Sequence, residues 1–288
     1  SLILVYPENE DRVISINGQG WAPRQANLAW YRTRNKDLNG AGLDPAVVPG
    51  ALHGALTVLE HWGTMSFAQV AERAIDYAEH GFPLRPLTAR AIADHREFLA
   101  AWPENARMWL KPDGSPYVAG ETIKLPNLAQ TLKRMVEAER AQASLGRTEG
   151  IRAARDRFYK GDIAGELEKW YISVGSFLRR KDLAAHRTPL EDPVTVSYRG
   201  YKVHKCGPWT QGPYLCQTLS LLEGYDLKAM GHFSADYLHT VVEALKLSMA
   251  DRDEFYGDPK FVKVPLARLL SPGYARMRRS LIDPKRAS

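Results

Sequence analysis

The sequence contains few of the residues that mark a disulfide-bonded, membrane-spanning or metal-binding protein. It has only two cysteines in 288 residues, Cys206 and Cys216, and no apolar run approaches the about 18 residues of a membrane span. The histidines are scattered, and His204 near Cys206 has no second ligand pair at zinc-finger spacing. We therefore expect no membrane segment, no metal and no cofactor. Since free cysteines are usually buried, we expect Cys206 and Cys216 to be buried thiols and not a disulfide.

Motifs of self-contained active sites are also missing. There is no G-x-S-x-G elbow, no phosphate-binding Walker loop and no cysteine–histidine motif. The GQG at residues 18–20 follows a predicted strand, but a dinucleotide-binding fingerprint needs a third glycine where Pro23 stands. The acidic stretch MADRDEFYGD at 249–258 lacks the glycine and glutamate positions of a calcium loop and continues a helical pattern. Taken by itself, the chain has no complete catalytic site.

Composition indicates a globular protein with an uneven charge distribution. The hydrophobic fraction is 44%, the charged fraction is 25% and the formal net charge is +6. Residues 260–288 are rich in Lys and Arg and contain a single acid, Asp283. Nucleic-acid surfaces usually interleave aromatic with basic side chains, and only Phe261 and Tyr274 occur in this segment. We expect no nucleic-acid partner, and we interpret the segment as a solvated helix face or as a surface that meets an acidic partner chain.

The hydrophobic pattern predicts a helix-rich α+β chain that forms a single domain over residues 1–288. Short strands at 2–6 and 12–16 are joined by a polar turn, and a second hairpin covers 194–206. Apolar residues recur at helical spacing through most of the remaining chain. Helices are predicted at about 50–63, 66–81, 86–101, 127–144, 148–159, 162–174, 214–224, 234–249 and 272–282.

Five stretches, in order along the chain, resemble the large subunit of the gamma-glutamyltranspeptidase family. The first contains a V-P-G that opens a helix, a W-G-T turn and a helix that ends in A-x-x-G-F. The second carries a P-x-G connector and a helix that begins P-x-L-A-x-T-L. The stretches are VPGALHGALTVLEHWGTMSFAQVAERAIDYAEHGFPL (48–84), LKPDGSPYVAGETIKLPNLAQTLKRM (110–135), FYKGDIA (158–164), YRGYKVHKCGPWTQGPYLCQTLSLLEGYDL (198–227) and HFSADYLHTVVEALKLSMADRDEFYGDPKFVKVP (232–265).

The resemblance implies an Ntn-hydrolase, in which an αββα sandwich forms from a precursor that cuts itself into two chains. This chain would be the helix-rich large-subunit part of one such domain, completed by a small subunit from the same precursor. In the family the nucleophile is the N-terminal threonine of the small subunit, and the α-amine of that threonine acts as the base. The resemblance therefore implies no catalytic residue in this chain. It also implies a zymogen matured into a heterodimer, and it allows a dimer of heterodimers.

The two ends of the sequence agree with this interpretation. The chain starts without methionine, inside a strand pattern, and stops at DPKRAS. We therefore expect a processed product that contains most of a large subunit. The cleavage site and the threonine of the family are expected beyond the last residue.

The chain departs from the family pattern in the loop INGQGWAPRQ at residues 16–25. In glutathione-acting members this segment reads R-E-x-A-P, and its arginine binds the α-carboxylate of the γ-glutamyl donor. At the same distance from the A-P pair this chain has Gln19, and Trp21 stands where hydrolase-like members with G-x-G-R-A-P have arginine. Glutamine offers no charge to a carboxylate, so binding would lose about 1–2 kcal/mol or more. Gln19, Trp21 and Arg24 are the candidate substrate-binding residues, and the alternative for Trp21 is packing at the hairpin exit.

A second turn, KCGPWTQGP at 205–213, occupies the place of a P-P-S-S-G-G-like turn that precedes a helix in the family. Glycine and proline set the path of such turns. We therefore interpret this turn as structural and not as part of a site.

The sequence thus predicts the large subunit of an amide-cleaving enzyme with a small-molecule amide substrate. We expect hydrolysis of an oxamate-type or acyl amide, because the arginine that would select glutathione is replaced. One alternative is a γ-glutamyl transferase or hydrolase with a different carboxylate anchor. Another is an unprocessed, inactive homologue that acts by binding only. Glutathione-acting relatives are often exported and amidohydrolase-like relatives often are not, so we expect a cytoplasmic location, with the periplasm as the alternative.

Overall fold

The strands of the chain are short and pair in antiparallel fashion. A computed structural model describes residues 1–34 and 42–288. Within them the sheets have the strand orders β1-β2-β5, β3-β4 and β6-β7. The strands are β1 (Leu2–Val5), β2 (Ile14–Asn17), β3 (Phe82–Pro83), β4 (Thr122–Ile123), β5 (Leu190–Glu191), β6 (Val194–Tyr198) and β7 (Tyr201–Lys205).

Helices make up most of the described chain. A short 3-10 helix, Ala143–Leu145, connects the seventh and eighth of them. The α-helices are α1 (Leu28–Thr33), α2 (Gly50–Trp62), α3 (Phe67–His80), α4 (Pro86–Asp94), α5 (Arg96–Ala100), α6 (Pro103–Trp109), α7 (Pro126–Ala141), α8 (Arg147–Tyr159), α9 (Asp162–Ser173), α10 (Arg180–Ala185), α11 (Gly212–Leu222), α12 (Leu227–Met230), α13 (Ala235–Phe255), α14 (Leu266–Leu269) and α15 (Pro272–Arg279).

The chain folds into two compact units. The first unit contains Ser1–Gln19, Gly50–Gly54 and Arg187–Ser288, and the second contains Gly20–Pro49 and Ala55–His186. The loop that departs from the family pattern therefore contributes Gln19 to the first unit and its following residues to the second.

The first unit is built on the three-stranded sheet and on helix α11. Strand β2 is central in its sheet, and Ile14 and Ile16 on it are buried. Helix α11 packs against α13 and α15, and its Leu221 contacts Ala244 and Ala275 from these two helices in one apolar cluster. This packing fixes α11, which begins at Gly212, directly after residues 208–211.

In the second unit, helices α3, α7 and α8 pack in series. The start of α3 is held by the buried carboxylate of Glu139 on α7, which accepts hydrogen bonds from the backbone N of Phe67 at 2.6 Å and of Ala68 at 2.7 Å. The capping box predicted from Ser66 and Gln69 forms at the same helix end. A carboxylate at a helix N-terminus satisfies free N–H groups and the helix dipole, so the turn that precedes α3 is strongly fixed.

A second buried carboxylate joins α2 to α8 within the same unit. Glu60 binds Arg152 at 2.6 Å and Arg155 at 2.7 Å. Burial alone would raise the pKa of Glu60, but the hydrogen bonds and positive charges of the two arginines outweigh it and lower that pKa. Glu60 therefore remains charged and links the two helices.

The predicted helix-rich α+β class is confirmed, with local differences. The helix predicted over 86–101 is two helices, since the backbone leaves helical geometry at His95, with φ −109° and ψ 19°. The long helix predicted to end at 249 continues to Phe255. Both hairpins form, and the second turns at Arg199-Gly200.

Two glycines with opposite surroundings test the packing. Gly165 lies inside α9 with no atom within 4 Å of the position that a Cβ would take. Gly165→Ala should therefore raise the free energy of unfolding by about 0.5–1 kcal/mol. At Gly50, which opens α2, a Cβ would lie 2.6 Å from the carbonyl O of Gly18. Gly50→Ala should therefore lower the free energy of unfolding by about 1–3 kcal/mol. Denaturant unfolding measures the free energy of unfolding of each variant relative to the wild-type protein. Changes of the same sign in the two variants would contradict this packing.

Candidate functional site

The loop after β2 is held by backbone contacts within the first unit. The side-chain O of Asn17 accepts a hydrogen bond from the backbone N of Gln19 at 3.2 Å. The start of α2 lies against the same loop, since Gly50 has room for no Cβ beside Gly18 and Gln19. The glycine of the V-P-G motif, Gly50, is thus required because its backbone lies directly against the backbone of Gly18 and Gln19. Gln19 itself is exposed.

Glu191 connects this loop to the KCGPWTQGP turn. One carboxylate oxygen accepts from the side-chain N of Asn17 at 3.1 Å, and the other accepts from the indole N of Trp209 at 2.8 Å. Glu191 lies on β5, next to β2 in the sheet. A single carboxylate therefore sets the positions of Asn17 and Trp209, which come from distant parts of the sequence.

Gln19 and the turn line an open cleft of about 470 Å³ in the first unit. The other walls are residues 208–211 and, from the end of α13, residues 252–253 and 256–258. A second cleft of about 650 Å³ shares Gln19 and residues 209–211 with the first and reaches Leu2 and Leu4 on β1. We call the first the Gln19 cleft. Its size suits a small molecule.

The charges that line the Gln19 cleft are already engaged. The guanidinium of Arg252 donates through Nε and Nη2 to Asp253 at 2.9 and 2.7 Å, and through Nη1 to the side-chain O of Gln211 at 3.3 Å. Asp258 accepts from the backbone N of Lys260 at 2.9 Å. Among the described residues of this cleft, Arg252 is the single cation. The cleft thus offers the side-chain amides of Gln19 and Gln211 more readily than an open positive charge.

A buried polar network supports the floor of the Gln19 cleft. The hydroxyl of Tyr256 donates to the side-chain O of Gln217 at 3.1 Å, and the side-chain N of Gln217 donates to Asp251. Asp251 also accepts from the hydroxyl of Tyr274 at 3.0 Å and pairs with Arg278 at 2.9 Å. Burial raises the pKa of the Tyr256 hydroxyl, and the nearby Asp251 charge raises it further. Tyr256 therefore acts as a neutral hydrogen-bond donor.

Trp21 is placed in the second unit. Its ring meets the buried ring of His186 edge to face, with 5.4 Å between centroids, and His186 stacks on Tyr159 at 6.0 Å. The carbonyl O of Trp21 accepts from the backbone N of Val48 at 3.0 Å. These contacts agree with the packing alternative for Trp21. A role for this side chain in substrate binding stays a prediction.

Arg24 is also described within the second unit. Its backbone N donates to the buried carboxylate of Asp182 at 3.2 Å, and the same carboxylate accepts from the backbone N of Arg179 at 2.9 Å at the start of α10. The guanidinium of Arg24 is 71% exposed and lies 4.0 Å from Asp182. Its backbone is thus anchored, while the charge of its side chain points to solvent. Its predicted role in binding remains untested.

Sequence reasoning missed the residues that complete the Gln19 cleft. Glu191 lies on a two-residue strand, too short to produce a periodic pattern. The turn with Trp209 was assigned a structural role, and it also forms a wall of the cleft. Arg252 and Tyr256 lie in the stretch that was compared with a calcium loop. The one signal of a site in this part of the sequence is Trp209, which stands between Gly207 and Gly212 in the turn.

Three further expectations concern cysteines, metals and membranes. Cys206 and Cys216 are free and buried, as predicted. In the described part of the chain, no group of three or more His, Cys, Asp or Glu side chains could hold a metal ion. None of the helices over 1–34 and 42–288 combines the length and apolar character needed to cross a membrane.

Comparison with known proteins identifies the family. The model of the family described as gamma-glutamyltranspeptidase matches residues 1–288. The chain belongs to the gamma-glutamyltranspeptidase family. The resemblance carried by the five sequence stretches is thereby confirmed.

The relatives that match the chain include one named as an acylase and one named as glutathione hydrolase-like. The Acylase ACY 1 proenzyme of Pseudomonas sp. (strain V22) is 36% identical over 290 residues, which cover 96% of this chain and 49% of the relative. The glutathione hydrolase-like YwrD proenzyme of Bacillus subtilis (strain 168) is 33% identical over 277 residues, covering 96% of this chain and 50% of the relative. The chain thus spans about half the length of these relatives.

A solved structure confirms the predicted fold class. The Helicobacter pylori gamma-glutamyltranspeptidase superposes with a TM-score of 0.90 at 26% sequence identity. The superposition covers 100% of this chain and 79% of that chain. The helix-rich α+β arrangement is therefore that of the large-subunit part of the gamma-glutamyltranspeptidase fold.

The thiol of Cys216 should be unreactive in the folded protein. Its side chain is fully buried on α11, and burial raises its pKa to about 11, although Lys205 lowers it in part. Alkylation requires the thiolate, so at pH 8 the reaction should be roughly 100-fold slower than for an ordinary cysteine. Iodoacetamide labelling followed by peptide mass spectrometry measures the rate. The same peptide from denatured protein is the control, and equal labelling in both states would contradict the burial of Cys216.

Proposed function

We propose that this chain is the large subunit of an autoprocessed Ntn-hydrolase that hydrolyses a small oxamate-type or acyl amide. The nucleophile would be the N-terminal threonine of a small subunit made from the same precursor. Its hydroxyl attacks the amide carbonyl carbon while its α-amine takes the hydroxyl proton. That proton passes to the departing amine, and water then releases the acyl group. Membership of the family and the proenzyme names of the relatives support this chemistry.

The observation that carries the substrate proposal is the neutral side chain of Gln19 in its cleft. The position that family members acting on glutathione use for a carboxylate-binding arginine holds an exposed glutamine here. Arg252, which lines the same cleft, is paired with Asp253. A carboxylate would enter this cleft without a free cation, and a neutral acyl or amide group would find hydrogen-bonding partners. The 36% identity to an acylase proenzyme agrees with such a substrate.

A second candidate function, cleavage of γ-glutamyl compounds, is favoured by one contact. Within residues 1–34 and 42–288, Nη1 of Arg252 bonds only the side chain of Gln211, at 3.3 Å, and Gln211 is exposed. A substrate carboxylate that displaced Gln211 would gain this guanidinium as an alternative anchor. The glutathione hydrolase-like relative agrees with this candidate.

The partner of the chain would be the small subunit. Strand β1 pairs only with β2 among the described strands, so its other edge is open. Leu2 and Tyr6 beside this edge are 61% and 62% exposed. An open edge flanked by apolar side chains suits a strand from another chain. This placement supports a heterodimer, and a dimer of heterodimers would be assembled from it.

We also propose a cytoplasmic location, because amidohydrolase-like members of the family are often not exported. Cell fractionation with antibodies against the chain would measure it. Recovery from the periplasm would contradict the proposal.

Self-processing can be tested directly. Mass analysis of the protein purified from its complete gene should show this chain together with a second chain that begins with threonine. Replacement of that threonine by alanine should leave the precursor uncut and abolish amide hydrolysis. Recovery of the wild-type protein as one uncut, inactive chain would instead support the homologue that acts by binding only.

The role of Gln19 can be tested by restoring the charge. Gln19→Arg should raise kcat/KM for a γ-glutamyl anilide by about tenfold or more, because a charged hydrogen bond contributes about 1.5 kcal/mol or more beyond a neutral one. The same variant should lower turnover of oxamate or acyl amides. Gln142→Arg is the matched control, since it adds the same charge at an exposed residue of the second unit that does not line the cleft.

Strong γ-glutamyl turnover by the wild-type protein would show that the charge at position 19 is dispensable. In that case Arg252→Gln should remove the activity, which would select the second candidate function. An equal gain from Gln19→Arg and Gln142→Arg would show that only the net charge of the protein matters.

A further inference from the structure

The basic segment at 260–288 finds few partners within its own unit. Arg278 pairs with Asp251, and Arg279 donates to the carbonyl O of Ser220 at 3.1 Å. The side chain of Arg276 makes no hydrogen bond or ion pair with any residue of 1–34 or 42–288. Neither Arg276 nor Arg279 is paired with a carboxylate in this part of the chain. Two positive charges on α15 are thus uncompensated.

These two arginines line one cavity. It measures about 390 Å³ and is formed by α11, α15 and β6 within the first unit. Thr195, Ser197 and Ser220 line it as well. The hydroxyl of Ser220 donates to the carbonyl O of Cys216 at 3.0 Å, and the hydroxyl of Thr195 lies 2.9 Å from Nδ1 of His204. The donors left for a ligand are therefore the guanidinium N–H groups of α15 and the hydroxyl of Ser197 on β6.

The charge balance of the cavity is positive. Glu223 is the only acid among its described lining residues, and its carboxylate already accepts from the backbone N of Arg199 at 3.0 Å and lies 3.8 Å from the guanidinium of Arg199. Lys202 on β7 stands directly opposite Ser197 in the hairpin and is exposed. Side chains that are opposite in an antiparallel pair share one face of the sheet. Lys202 therefore adds positive charge beside the cavity.

We propose that this cavity binds a small oxyanion that carries at least two negative charges. Arg276 and Arg279 would contact its oxygens through guanidinium N–H groups, which match the geometry of phosphate and carboxylate. The hydroxyl of Ser197 would donate to one of the remaining oxygens. A tetrahedral anion such as phosphate and a compact polycarboxylate share this chemistry.

Binding would join elements that the sequence separates. The anion would contact β6, α11 and α15 at once, and α15 also holds Asp251 through Arg278 and Tyr274. A ligand that binds only the folded state stabilises that state. The stabilisation grows with the logarithm of the ratio of the free ligand concentration to Kd. The anion would therefore stabilise the helices that support the Gln19 cleft, without entering the cleft.

The proposal can be tested by calorimetry on the assembled, mature protein. Phosphate, sulfate and citrate are titrated separately at low millimolar concentration, in buffers whose ionic strength is matched with chloride. We expect saturable binding of at least one of these anions, with one site per chain, and a rise in Tm at saturation. Phosphate and sulfate without citrate would indicate a tetrahedral anion, and citrate alone a polycarboxylate.

Two variants locate the site. Arg276→Gln should weaken the binding by about tenfold or more, because a charged hydrogen-bonding group is lost. Lys285→Gln removes the same charge from the same segment but outside the cavity, and it should change Kd by less than about twofold. No binding beyond that of chloride, or equal weakening by both variants, would overturn the proposal. Because no substrate is used, the result does not depend on the proposed amide hydrolysis.

Discussion

The carboxylate of Asp251 on α13 is buried. It accepts hydrogen bonds from Gln217 on α11 and Tyr274 on α15, and it forms an ion pair with Arg278, also on α15. A buried carboxylate is costly unless its oxygens are fully satisfied, so these helices can pack only in the register that brings the partners together. The apolar cluster around Leu221 supplies attraction between the same helices, and the polar network selects one arrangement. Because Tyr256 extends the network to the surface, the position of the cleft floor follows from that choice.

The opposite wall of the cleft depends on a similar arrangement at Glu191. There one carboxylate is shared by an amide from the loop and an indole from the turn. In both places a single acid brings together segments that are far apart in sequence. The cleft is thus defined by two carboxylates whose oxygens are used for structure, while the one cation described in its lining, Arg252, is paired with Asp253.

The sequence allowed the fold class, both hairpins, the capping box at Ser66 and the buried state of the cysteines to be predicted, because each depends on local pattern or on residue type. The break at His95 was not predictable, since no glycine or proline marks it in the sequence. Glu191 and Arg252 were missed for another reason. Their roles come from contacts over long sequence separation, and a single sequence contains no record of such contacts. Trp21 is the opposite case. It stands out in the sequence as a possible site residue, yet its ring packs against His186.

The contact between Gly50 and the loop at Gly18 involves backbone atoms on both sides. The bond from Asn17 likewise reaches the backbone N of Gln19 and not its side chain. The path of the loop is therefore independent of which side chain stands at position 19. On the proposed role of Gln19, a single substitution there would exchange one substrate preference for another while the fold stays unchanged. Divergence between acylase-like and glutathione-acting members would then need few mutations and no repacking of the core.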